Sequence, residues 1–249
     1  MPRIGIGKTD VGAVRDSNED TIMVINEELG VLRNAFAVAD GMGGHNAGDV
    51  ASQAAVKHIE EFLKRAGTEH GLTPQNLLRD AVAFANSMVF NMSATSEEYK
   101  RMGTTVSLCS FDDSNLYYAH VGDSRIYVVR NDVLRQVTDD HSLVNEMIKQ
   151  GALTADEALT HPRRNVVTRA VGTERSVEVD CGRVPLKLDE TVLICSDGLT
   201  GMVTDKDILN IITKSSKLKQ KEKIIDKLIA AAIKNGGNDN ISVVLLNEV

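Results

Sequence analysis

Ala35-Phe36-Ala37-Val38-Ala39-Asp40-Gly41-Met42-Gly43-Gly44-His45 runs from an unbroken apolar stretch into an acidic, glycine-rich corner. The apolar stretch reads as a buried strand with Asp40 at its end. The glycines let the backbone turn sharply and approach a ligand closely. A carboxylate at a strand end, followed by exposed carbonyls, suits a hard divalent cation. A strand–turn–helix corner in which Asp40 caps the turn fits the same residues. Recurrence of the pattern elsewhere in the chain separates the two readings.

Working outward, residues 21–25 form a second strand-like run, and 26–30 a turn. The two strands read as an antiparallel hairpin, which would bring Glu19 and Asp20 level with Asp40. After His45 the period changes. Val50, Ala51, Ala54, Ala55, Ile59, Phe62 and Leu63 share one helix face, and Gly67 marks the end. Thr73-Pro74 starts a second helix, with Thr as N-cap and Pro in the first turn. This helical hairpin should cover one sheet face.

Strands return over 105–111, 116–121, 125–129 and 133–137, and read as an antiparallel meander. Residues 141–150 and 155–159 look like short helices in a polar segment reaching about residue 175. Strands follow at 177–184 and 191–195, helices at 205–213 and 217–234, and a last strand at 241–246. Gly5-Ile6-Gly7-Lys8-Thr9 ends like a P-loop, but that motif needs glycine where Pro2 stands, and no strand precedes it. Strands and helix pairs are segregated, which predicts antiparallel sheets with helices packed outside. No Pro/Gly/Ser linker divides the chain, so 1–249 reads as a single domain.

The acidic corner does recur. Val121-Gly122-Asp123-Ser124-Arg125, Cys195-Ser196-Asp197-Gly198 and Gly237-Asn238-Asp239-Asn240 each set an Asp beside a strand end. Each alone reads as a turn. A single site fed by Glu19, Asp20, Asp40, Asp123, Asp197 and Asp239 would not tolerate its own repulsion without cations. All-oxygen ligands favour magnesium or manganese over zinc.

These stretches, with Arg15-Asp16-Ser17-Asn18-Glu19-Asp20 and Gly103-Thr104-Thr105, occur in an order that resembles the metal-dependent protein serine/threonine phosphatases of the protein phosphatase 2C type. The likeness spans nearly the whole chain and is greatest to the compact bacterial members. It implies an α+β fold, a four-layer α-β-β-α sandwich of two central antiparallel sheets flanked by antiparallel helix pairs. It also implies a variable flap at about 141–175. By resemblance, Asp40 would bridge two metals, and Asp197 and Asp239 would complete one of them. The Gly41 carbonyl and Glu19 would serve the other, and Asp123 with Asp197 a third, weaker one. Asp20 and Asn240 would orient ligands and waters, and Arg15 would bind the substrate phosphate.

The implied reaction is hydrolysis of phosphoserine and phosphothreonine in proteins, opposing eukaryotic-like kinases. Two Mn2+ or Mg2+ ions would make hydroxide available near neutral pH. Arginine supplies the paired donors that fit phosphate. Met42 stands where animal members carry a histidine proposed as general acid. The leaving group's proton would then come from His45 or a metal-bound water, and His45 fits a helix-capping role as well. His161-Pro162-Arg163-Arg164 fits contact with acidic or phosphorylated substrates, and equally a solvated loop.

A metal-dependent esterase of small phosphates and a non-catalytic regulatory relative are the alternative readings. Retention of Asp40, Asp197, Asp239 and Arg15 speaks against the second. Cys-x5-Arg phosphatase chemistry is excluded, because Asn115, Lys187 and Gly201 stand six residues beyond Cys109, Cys181 and Cys195.

A net charge of -7 argues against nucleic acid or anionic membrane as partner. The three scattered cysteines read as reduced thiols, Cys109 and Cys195 buried and inert. No signal-like h-region opens the chain, and no run of ~18 apolar residues occurs. The expectation is a cytoplasmic monomer acting on phosphorylated proteins, a Ser/Thr kinase among them.

Overall fold

The computed structural model describes residues 3–43, 47–66, 72–187, 189–216 and 221–248. The strands are β1 (Arg3–Asp10), β2 (Asp20–Ile25), β3 (Ala35–Met42), β4 (Gly103–Thr104), β5 (Val106–Phe111) and β6 (Asn115–Val121). They continue with β7 (Arg125–Arg130), β8 (Val133–Gln136), β9 (Asp180–Pro185), β10 (Thr191–Cys195) and β11 (Ile241–Glu248). The helices are α1 (Ala47–Ala66), α2 (Pro74–Ser93), α3 (Leu143–Lys149) and α4 (Ala155–Leu159). The last three are α5 (Asp197–Thr200), α6 (Asp205–Ser216) and α7 (Lys221–Lys234). One sheet has the order β1-β11-β10-β7-β8; the other has β2-β3-β5-β6-β9, with β4 paired to β3. All these pairings are antiparallel.

Strand β3 explains the layering. A strand's side chains alternate between faces, and both faces of β3 are buried. Ala35, Ala37 and Ala39 pack in the layer formed with α1 and α2. Phe36 and Val38 point the other way, into the layer between the sheets, with Ile126, Val192 and Val244. The other sheet's outer face carries Leu193, Val243 and Leu245 against Ile208, Ile225 and Leu228 of α6 and α7. Three apolar layers thus separate four layers of structure, as the resemblance implies. The helical hairpin is present, and Thr73 caps α2 by accepting a bond from the Asn76 N–H.

Two expectations need correction. The run from 105 to 137 is not a meander, because β6 and β7 lie in different sheets. Gly122 adopts φ 110°, in a region where side chains are strained. With Asp123 and Ser124 it carries the chain across the sandwich instead of folding it back. Residues 3–10 form a strand that the reading of the sequence omitted. Its partner is β11, at the other end of the chain. Gly5 is required there because a Cβ would collide with the Phe36 ring. Gly44, His45, Gly67 and residues 217–220 lie outside the described residues, so the parts proposed for His45 and Gly67 are not addressed.

Candidate active site

The acidic corners meet at one end of the sandwich. Asp20 and Asp40 stand directly opposite each other in the β2–β3 ladder. Asp123 occupies the crossover between sheets, Asp197 opens α5 just past β10, and Asp239 precedes β11. A cleft of about 330 Å³ is lined by Arg15, Glu19, Asp40, Gly41, Asp123, Asp197, Asp239 and Asn240. Met42, Gly43, Thr105, Asn165 and Val167 complete its wall. Asp20 sits behind it, 7% exposed.

Backbone contacts hold each corner. Asp40 donates its N–H to Thr105 Oγ1 at 2.9 Å, while its carbonyl accepts from the Thr105 N–H at 2.8 Å and Thr104 Oγ1 at 2.9 Å. Thr105 Oγ1 in turn lies 2.7 Å from Ser124 Oγ, next to Asp123. Gly41 donates to the Glu19 carbonyl at 3.1 Å. Asn240 organises the loop that carries Arg15: its Nδ2 donates to the carbonyls of Val11 and Ser17, and its Oδ1 accepts from the Glu19 N–H at 2.8 Å. Ser196 Oγ donates to Asp20 Oδ2 at 2.8 Å, joining the two sheets. Behind Asp123, the Gly122 N–H donates to His141 Nδ1 at 3.0 Å.

The electrostatics are strained. Burial raises Asp40 well above the usual carboxylate range, and repulsion from Asp20, Asp197 and Asp123 adds to it. Burial, then Asp197 and Asp140, push Asp123 up to about 8. Burial raises Asp20 to about 7, against hydrogen bonds from Ser242 and Ser196. Asp197 is raised by burial and by Asp239. Burial also raises Glu19, with Arg15 opposing.

This donor set fits divalent cations. The ionisable side chains lining the cleft, Arg15 apart, are carboxylates, the ligands of a hard ion. Asp20 Oδ1 is buried without a hydrogen-bond partner, an acceptor that suits an ordered water beside an ion. Among the described residues no three of these side chains close into a ready-made ligand cluster. The cleft has room for water to complete a coordination shell.

Residues 14–233 match the family described as Protein phosphatase 2C. The chain belongs to the protein phosphatase 2C family. Within that family, it is 39% identical over 242 residues to the serine/threonine phosphatase Stp of Listeria monocytogenes, covering 96% of this chain and 93% of that one. The crystal structure of the Mycobacterium tuberculosis serine/threonine phosphatase PstP/Ppp superposes with a TM-score of 0.87 at 31% identity, covering 99% of this chain and 98% of that one. A structure of the PstP catalytic domain in complex with two manganese ions gives 0.82 at 30% identity, covering 98% and 97%. The metal dependence of protein phosphatase 2C enzymes agrees with the donor set described above.

The sequence motifs located every corner. Missing from that reading were roles for Thr104, Thr105 and Ser196, although all three lie inside motifs it singled out. Asn165 carried no signal at all.

Proposed function

We propose that this chain hydrolyses phosphoserine and phosphothreonine in proteins. We assign two divalent cations, Mn2+ or Mg2+, to Asp40, Glu19, the Gly41 carbonyl, Asp197 and Asp239, and a third, weaker one to Asp123 with Asp197. When bound, such ions acidify a water molecule and neutralise phosphoryl charge. The carrying observation is that five carboxylates from both sheets line one cleft with a single arginine.

The chain's own groups have distinct tasks. Arg15 is exposed and donates from Nη2 to Asp239 Oδ2 at 2.9 Å. Its guanidinium fork can therefore hold a phosphoryl group against the carboxylates. Asn240 fixes the Arg15 loop relative to Glu19. Thr104 and Thr105 hold the Asp40 backbone, so its carboxylate needs little reorganisation. No Ser, Cys or His side chain lines the cleft among the described residues, and the Thr105 hydroxyl is already bonded. With the cleft's carboxylates assigned to holding the cations, we take water as the nucleophile, with no covalent enzyme intermediate.

We further propose that the chain acts as a single catalytic domain and a monomer, in the cytoplasm, against a Ser/Thr protein kinase. The segment 141–175 would be its flap. Three free thiols, with Cys195 raised to about 12 by burial, suit a reducing compartment. No described helix is long and apolar enough to cross a membrane.

The test is phosphate release from a phosphothreonine peptide with Mn2+, with EDTA, and with Asp40→Asn. Release that depends on Mn2+ and disappears in the other two arms is expected. Absence of release from folded protein at any metal concentration would overturn the proposal.

A further inference from the structure

A second cavity, of about 300 Å³, lies beside the acidic cleft, under helices α3 and α4. The two share Asp123, Asn165 and Asp197 in their walls, so they adjoin. The far wall of this cavity is apolar: Val144 and Ile148 come from α3, Ala158 and Leu159 from α4. Leu159 is 73% exposed, the most exposed large apolar side chain among the described residues. A lone exposed leucine needs no explanation, but one that continues a half-buried apolar wall beside a reaction cleft does.

The floor favours the same kind of guest. Arg125 and Asp140 are the charged pair there, and they satisfy each other through Arg125 Nε and Nη2 at 2.6–2.9 Å. Arg125 Nη1 also donates to Tyr127, and Gln136 donates to Asp140. A charged side chain entering beside this pair would lose water and find both groups already matched. The other charged groups, Asp123 and Asp197 on the wall shared with the cleft and Arg164 at the exposed edge, lie away from the apolar wall. An apolar side chain loses nothing and buries its surface.

We propose that this cavity is a substrate subsite that takes an apolar residue flanking the phosphorylated Ser or Thr. This rests on the phosphatase reading above. A phosphorylated side chain held at Arg15 and the carboxylates leaves its peptide running across the cleft. A neighbour in sequence then reaches the adjoining cavity past exposed Asn165. The volume accommodates a leucine, methionine or phenylalanine side chain. Exposed Arg164 on the same cavity's edge disfavours a basic residue there.

The experiment compares phosphothreonine peptides carrying Leu, Gly, Asp or Lys at each position from two before to two after the phosphorylated residue. p-Nitrophenyl phosphate, which has no flanking residue, is assayed in parallel. At one position Leu is expected to raise kcat/KM roughly ten-fold over Gly, the worth of partly burying one apolar side chain. Leu159→Ser should abolish that preference and leave p-nitrophenyl phosphate turnover unchanged. Ile148→Ser, from the other helix, should do the same. No apolar preference at any position, or a preference that survives both substitutions, would overturn the subsite while leaving the phosphatase reading intact. Failure to turn over either kind of substrate would overturn the phosphatase reading and the subsite with it.

Discussion

Arg15 Nη2 lies 2.9 Å from Asp239 Oδ2, bridging the first loop of the chain to the turn before its last strand. The pair is half open to solvent, so it adds little to stability. Its value is positional. Arg15→Ala should lower kcat/KM on phosphopeptides roughly 10- to 100-fold, the worth of one or two charge-assisted hydrogen bonds. Arg15→Lys should recover only part of this, since a point charge lacks the fork. Steady-state kinetics with fixed Mn2+ would check it, and a fully active lysine variant would refute the role.

Asp40 is destabilised in the metal-free fold by burial and by its acidic neighbours. Asp40→Asn should therefore raise the melting temperature without metal, while shrinking the increase that Mn2+ gives. Thermal melts of both proteins with EDTA and with Mn2+ measure this. An unchanged Mn2+ response in the variant would contradict the assignment of Asp40 as a cation ligand.

His120 is fully buried, with Ser107 Oγ 3.0 Å from Nδ1 and the Asp139 carbonyl 3.2 Å from Nε2. Burial, then the neighbouring His141, push its pKa down to about 3. The folded value lies below the unfolded one, so the unfolded chain binds the proton more readily. Stability is complete above the unfolded value of about 6.5 and is lost as pH falls towards 3. At pH 5 the loss approaches about 2 kcal/mol. Urea unfolding at pH 7.5 and pH 5 should show it, and His120→Asn should flatten the dependence; equal slopes would refute the assignment.

Gly48 lies in the first turn of α1, where a Cβ would collide with the Glu19 carboxylate and the Gly41 backbone. Gly48→Ala should displace Glu19 and raise the Mn2+ concentration needed for half-maximal turnover several-fold, with a smaller effect on saturated kcat. A metal titration of activity decides this. An unchanged titration curve would mean that Glu19 moves without consequence.

The strands were legible wherever burial made them apolar, as at β3, β5 and β10. Strand β1 was hidden because Gly5 and Gly7 lower strand propensity, and their reason, room for Phe36 and its neighbours, lies far away in sequence. The crossover at Gly122 was misread because Gly-Asp-Ser serves a hairpin equally well. The carboxylates were legible because each sits at a strand end beside a turn residue. The hydroxyls that hold them were not, since the partners of Thr105 and Ser196 are Asp40 and Asp20, brought near only by folding.

The seam between the two sheets closes at this acidic end. Asp40 belongs to one sheet, while Asp197 and Asp239 flank strands of the other. An ion bound among them would act as a rivet through the sandwich, and its removal would free the two leaves to breathe apart from that edge inward. Amide exchange at the ends of β3 and β11 would then register metal loss before the distant rim does, making the backbone itself a gauge of occupancy.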